Sequence, residues 1–287
     1  MPFIRRFKLA LIAAATVVGM VMHAAASSAA PAQNKSVQVA LHKALYNLNM
    51  VSVESGAGIV GVKGKMYFEQ DDACDAWTTD QRFTMEYQYP ERAPVNNTNH
   101  YVAWESKDNQ HFEFNSERQE NGHITELLRG GVARGADGAA QAKYTRPGDL
   151  KFDLSSGYVL PVEHTNEIIR RARAGEKIFS AVMFDGTDAD GPVNITVVIE
   201  KKATRAEVRK LLEGAGKIDM ALLDTDAWYV RMAVFPLKDQ ESLTPAYEME
   251  MILHDNGVVS YALVDYKTFK VEQRLKTLEM IPLPHCS

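Results

Sequence analysis

Much of the chain alternates apolar and polar residues with the two-residue period of a half-buried strand. Phe112 and Phe114 alternate with His111, Glu113 and Asn115, and Lys107-Asp108-Asn109-Gln110 is the turn that separates this run from Tyr101-Val102-Ala103-Trp104. Tyr247, Met249, Met251 and Leu253 share one face, with Glu248 and Glu250 opposite. Asp255-Asn256-Gly257 then makes a tight hairpin, because Asn-Gly tolerates the positive φ such turns need, and Val259, Tyr261 and Leu263 return on the second strand. Similar runs predict strands over 42–53, 59–69, 80–89, 122–129, 140–146, 179–184, 193–200 and 228–236. Turn residues separate them at short intervals, which predicts a mainly β fold, a large antiparallel sheet that curls on itself.

Two helices interrupt this pattern. Pro161 precedes the first, predicted over Glu163–Ala174; Ile168, Ile169 and Ala172 form its apolar stripe and Gly175 stops it. The second begins at Thr204, where Thr204-Arg205-Ala206-Glu207 is a capping box in which hydroxyl and carboxylate each satisfy a free backbone N–H. Val208, Leu211 and Leu212 face inward and Gly214 ends it. The stretch 214–226 fits neither period. Without a long linker or a repeat, 31–287 reads as one domain.

The N-terminus changes the compartment. Arg5, Arg6 and Lys8 precede an uncharged apolar run from Leu9 to Met22 and then small residues, the order of a secretory signal over residues 1–30 with cleavage after Ala26 or Ala30. The run is too short for a comfortable permanent membrane helix, so the mature form is expected to be periplasmic and not membrane-spanning. Removing those three cations lowers a formal charge of −5 still further, which argues against nucleic acid as a partner. Two cysteines are present, Cys74 and Cys286. In an oxidising compartment the isolated pair is most simply a disulfide; two buried thiols are the alternative.

Candidate chemistry is sparse. Gly56-Ala57-Gly58-Ile59-Val60-Gly61 has the letters of a dinucleotide fingerprint, but a strand-like run follows where a helix must hold the pyrophosphate. Asp185-Gly186-Thr187-Asp188-Ala189-Asp190-Gly191 looks calcium-like, yet the register puts Gly186 and Val197 where the EF-hand needs acids. No HExxH, GxSxG or P-loop is present, so no catalytic residue, metal or cofactor is expected. His164 at the first helix, the basic cluster Arg170, Arg171 and Arg173, Asp185 and Trp104 are candidates for a ligand or partner surface. Met249, Met251, Leu253, Tyr261 and Leu263 are candidates for lining an apolar cavity, and methionine adapts to varied ligands.

The ordered motifs together resemble the envelope integrity protein B family of alphaproteobacterial periplasmic proteins. The resemblance is carried by His42-Lys43-Ala44-Leu45-Tyr46, Ser55 to Gly61 with Gly64-Lys65-Met66, Cys74 with Trp77, Trp104-Glu105, Phe112-Glu113-Phe114, Leu160-Pro161 with His164, Ala172 to Glu176, Phe179 to Gly191, the strand pair around Glu250 to Tyr266, and Leu283-Pro284-His285-Cys286. It implies a long antiparallel β-spiral, an open barrel-like sheet, with a disulfide from the early cysteine to the C-terminal one. It also implies a role in envelope maintenance and envelope-stress resistance. Three functions follow as expectations: a monomeric, non-enzymatic protein working through periplasmic or outer-membrane partners; a carrier or sensor of lipid, glycolipid or lipoprotein acyl chains; or an enzyme on envelope polymers.

Overall fold

The computed structural model describes residues 36–238 and 244–286. Residues Asn34–Ser287 cluster as one compact unit. The expected signal peptide and its cleavage after Ala26 or Ala30 lie outside the described residues.

Fourteen strands form a single sheet. The first eight are β1 (His42–Val53), β2 (Gly61–Asp72), β3 (Ala76–Gln88), β4 (Val95–Ser106), β5 (His111–Glu120), β6 (His123–Ala133), β7 (Ala140–Arg146) and β8 (Lys151–Leu154). Each pairs antiparallel with the next, as alternating patterns joined by short turns demand. Helix α1 (Pro161–Ala174) crosses to a second meander, β9 (Ile178–Met183), β10 (Val193–Lys202), β11 (Ala227–Pro236), β12 (Tyr247–His254), β13 (Val259–Asp265) and β14 (Phe269–Met280). Helix α2 (Arg205–Leu211) and a 3₁₀ turn (Met220–Leu223) lie between β10 and β11. Strand β14 pairs antiparallel with β1, so the two meanders fuse into one sheet with β8 and β9 at its two ends. Among the described residues, Val159, just beyond β8, bridges to Met183 of β9 without closing the sheet into a barrel.

The second helix is shorter than the run from Thr204 to Gly214 suggests, although Thr204 caps it through Glu207 as the capping box requires. Strands β8 and β14 have no counterpart in the sequence reading. In β14 the buried residues are Val271, Leu275 and Leu278, spaced four and three apart, which reads as a helical stripe. Leu45 pairs with Thr277 and Tyr46 with Leu275, so Lys276 is an extra residue bulged out of β14, and a strand carries that spacing. The ambiguous segment 214–226 runs beside the end of β14, with Gly216 donating to Lys276 and Asp219 to Leu278, before its 3₁₀ turn.

Three buried clusters hold the sheet. Ile168, Ile169 and Ala172 of α1 join Val197, Trp228, Val230 and Leu253. Phe112, Phe114, Tyr144 and Phe184 form an aromatic cluster at the β5–β7 end. Ala44, Tyr46, Leu48, Leu275 and Leu278 join across the seam, together with Val208 and Leu222.

Cys74 and Cys286 form a disulfide with Cα atoms 5.6 Å apart and a sequence separation of 212. Beyond β14, Ile281 donates to the Leu41 carbonyl, and the bridge then fixes the tail to the β2–β3 turn. Closing so long a loop restrains the unfolded chain, with an upper figure of roughly 5 kcal/mol. Cys74→Ser, Cys286→Ser and reductant treatment of the wild type are each expected to lower the melting temperature by several degrees and to the same extent. Thermal melts with and without reductant check this.

Candidate functional site

The inner faces of the two meanders meet across a cavity of about 680 Å³. Strand β1 contributes His42 and Tyr46, β2 Met66 and Phe68, β3 Gln81 and Phe83, β4 Asn99 and Tyr101, and β5 Arg118. Where a strand contributes two of them, the positions are two or four apart, so the sheet period places both on one face. The opposing wall is Val234 of β11, Met249 and Met251 of β12, and Ala262 and Val264 of β13. Helix α1 packs into the cluster that also holds Val234, Met251 and Ala262, so it occupies part of the same concave side.

The loop between β9 and β10 forms one margin, with Asp185, Thr187, Asp188 and Asp190 lining the cavity. Its backbone is fastened from inside. The Tyr101 hydroxyl donates to the Asp185 carbonyl (2.8 Å), Tyr144 to the Asp188 carbonyl (2.9 Å) and Arg118 to the Thr187 carbonyl (2.7 Å). A Cβ on Gly186 would stand 2.3 Å from the Phe114 ring and one on Gly191 2.6 Å from the Phe152 ring, and both residues have positive φ. Only glycine lets this loop lie on the aromatic cluster. Asp185 accepts from the Thr187 N–H and hydroxyl at 2.9 and 2.8 Å, and burial raises its pKa. The calcium-like spelling is thus a hydrogen-bonded, aromatic-packed loop. Among the described residues no group of three His, Cys, Asp or Glu side chains is placed to hold a metal ion.

Of the five residues expected at the cavity, Met249 and Met251 line it and three do not. Leu253 points the same way but is 2% exposed and belongs to the cluster built on α1. Tyr261 and Leu263 lie on the other face of β13. Leu253 pairs with Val259 and Ile252 with Tyr261, which leaves Ser260 as an extra residue; that bulge turns Ala262 and Val264 inward instead. The simple alternation Val259, Tyr261, Leu263 crosses the bulge and so changes face.

The expected surface residues are scattered, and most are already engaged. Arg170 pairs with Glu167, Arg171 with Glu167 and Glu176, and Arg173 with Asp255. The basic cluster is therefore a set of ion pairs fixing α1. His164 is 4% exposed, its ring lies 6.0 Å from that of Phe179, and Nε2 has no hydrogen-bond partner. Burial pushes its pKa down to about 4, so it is a neutral core group and not a surface one. Trp104 is half-buried on the face of β4 opposite Ala103 and Glu105, away from the cavity. The Gly56–Gly61 run connects β1 to β2 as a hairpin, with no helix to receive a pyrophosphate.

Sequence reasoning missed Glu105. It is 2% exposed on β4, and its carboxylate accepts the backbone N–H groups of Val162 (2.9 Å) and Glu163 (2.8 Å) at the start of α1. Leu160, the residue at the N-cap position, offers no side-chain acceptor, so Glu105 supplies the cap from a strand 55 residues earlier, a distance no local signal spans. Arg134 braces the same corner through Glu163.

The comparisons with known proteins agree with this architecture. A family model described as EipB-like matches residues 33–282. The chain belongs to the EipB-like family. A Brucella abortus (strain 2308) protein named cell envelope integrity protein EipB is 29% identical over 268 residues, covering 93% of this chain and 91% of that protein. A crystal structure of a beta-barrel-like protein of a domain of unknown function, also from Brucella abortus, matches with a TM-score of 0.77 at 27% identity, over 86% of this chain and 100% of that one. The disulfide and the unclosed fourteen-stranded sheet fit the β-spiral expected of an EipB-like chain.

Burial raises the Glu105 pKa to about 7, against the two N–H bonds and Arg134 that lower it. A carboxyl that binds its proton more tightly folded than unfolded stabilises most below its unfolded value near 4.5, and that stability is lost as pH rises through 7. Glu105→Gln keeps an acceptor oxygen and removes the titration. Relative to this variant, wild-type stability is expected to fall between pH 5 and 8 by up to about 1.4 kcal/mol per pH unit. Paired denaturant titrations at stepped pH measure the difference, in which the buried histidines cancel.

Proposed function

We propose that this chain sustains cell envelope integrity from the periplasm as a non-catalytic binding protein, holding the acyl part of an envelope lipid, glycolipid or lipoprotein in its cavity. The cavity carries the reading. Its volume lies within the roughly 300–1,000 Å³ of small-molecule sites, and the wall opposite β1–β5 is mainly apolar, with Val234, Met249, Met251, Ala262 and Val264 beside Tyr247 and Gln273. Methionines reshape at little cost around chains of different length. The charged groups at the margin have partners, Arg118 with Glu126 and Asp190 with Lys238, which favours binding over catalysis. The name of the Brucella relative supports the envelope role. Among the described residues no helix is long and apolar enough to cross a membrane.

A second reading, action through an envelope protein partner, is favoured by one surface. Val51, Val53 and Val60 are 52%, 43% and 56% exposed around the β1–β2 connection, an apolar group unusual for a hairpin end. Val60→Asp is expected to abolish any periplasmic crosslink made through this surface and to leave the melting temperature within about a degree. A crosslink that survives the substitution counts against this surface.

Met249→Trp tests the cavity by filling it. Wild-type protein purified from its own cell type is expected to carry an acyl-containing ligand in native mass spectrometry. The variant is expected to emerge empty and to fail in restoring resistance to detergent stress. Ligand-free wild type together with full rescue by a folded Met249→Trp would sink the proposal.

A further inference from the structure

The two walls of the cavity differ in chemistry. Across from the apolar wall, β1–β5 set polar groups among their apolar residues, and several of these have no protein partner. His42 is 2% exposed. Its Nδ1 lies 2.9 Å from the Ala40 carbonyl. A carbonyl only accepts, so Nδ1 carries the proton and Nε2 is left as an acceptor with no bond from the protein. The ring is held in place beside Phe68, with centroids 5.4 Å apart. Burial lowers the His42 pKa, which keeps Nε2 unprotonated at neutral pH.

Strand β4 continues the pattern. Asn99 lines the cavity, and its Oδ1 is buried without a partner; Oδ1 of Asn97, two residues away on the same face, is also unpaired. Gln81, a lining residue on β3, lies opposite Tyr101 and so diagonal to Asn99. A buried acceptor left unpaired costs about 1–3 kcal/mol, so a wall that holds several is short of hydrogen-bond donors.

The missing groups are donors, not anions. Arg118, the cation of this wall, is committed to Glu126 and to the Thr187 carbonyl, and the adjoining margin carries Asp185, Asp188 and Asp190. A phosphate or carboxylate placed here would bring further acceptors and negative charge to a wall that already has both.

We infer that the cavity selects acyl ligands that carry neutral hydrogen-bond donors, amide N–H or hydroxyl groups, lying along the His42–Gln81–Asn99 wall while the hydrocarbon lies on the Met249–Met251–Val264 wall. This rests on the cavity-binding reading above and adds the ligand's polar chemistry to it.

Three probes of equal chain length separate the two ideas: N-dodecanoylethanolamine, methyl dodecanoate and dodecanoate, each titrated calorimetrically into the mature protein below its aggregation concentration at pH 8. The ethanolamide is expected to bind about tenfold or more tightly than either of the others, the equivalent of one or two hydrogen bonds. Asn99→Leu and His42→Phe are each expected to reduce that ratio at least threefold, and Met249→Trp to abolish binding of all three. Equal binding of all three probes by the wild type, lost in Met249→Trp, overturns the donor selectivity and leaves the cavity reading standing. Tighter binding of dodecanoate also overturns it. Absence of binding by any probe, or binding untouched by Met249→Trp, overturns both. The wild-type probe series decides the selectivity even where a variant folds poorly.

Discussion

Strand β1 pairs with β14 along nearly its whole length, from His42 opposite Met280 to Val53 opposite Phe269. Every other pairing in the sheet joins neighbours in sequence and forms through a short turn or a crossover. This one brings together the two ends of the folded region. Without it the chain would be two separate meanders, each with a long exposed edge. With it the inner faces of β1–β5 and β11–β13 belong to one surface and can curl toward one another across the cavity. Such a contact is costly to close and is formed against the entropy of the whole chain. The Cys74–Cys286 bridge acts at the same place, since it ties the tail that follows β14 to the turn beyond β2.

Helix α1 is the second element on which the cavity depends. It connects the two free ends of the sheet and fills part of the concave side with Ile168, Ile169 and Ala172. Its N-terminus is met by the buried Glu105 carboxylate and its outer surface by Arg170, Arg171 and Arg173 in ion pairs. Residues with the chemistry of a binding surface are thus spent on holding a structural helix. The space the helix leaves open is bounded by flexible methionines on one side and by underused polar groups on the other. That asymmetry distinguishes the site from a merely incomplete core, which would leave apolar atoms unfilled but no unpaired acceptors.

Part of the site was legible in the chain. Met249 and Met251 follow from the alternation of β12, which no bulge interrupts. Tyr261 and Leu263 fail because one residue, Ser260, has no partner on β12, and the identity of a bulged residue carries little signal. His42 and Gln81 sit in strands that alternation locates well, and Asn99 lies in the polar first half of β4, ahead of the run at Tyr101, yet nothing marks any of them as facing an empty space. A polar residue on an inner face looks the same in sequence whether a protein group or a ligand is to satisfy it. Glu105 illustrates the same limit, because its partners are backbone N–H groups that have no sequence identity.

The sequence by itself determined most of the local elements, β8 and β14 excepted, the turns between them and the capping box of α2, since these depend on periods and contacts within a few residues. Together with its resemblance to a family it also determined the sheet class and the cysteine pair. Only the tertiary structure decided that the first and last strands are neighbours, that the basic cluster is internally neutralised, and that the inner face encloses a cavity with one mainly apolar wall and one wall of mixed polar and apolar groups. Those facts depend on which distant segments share a surface, and that is set by the register and curl of the whole sheet.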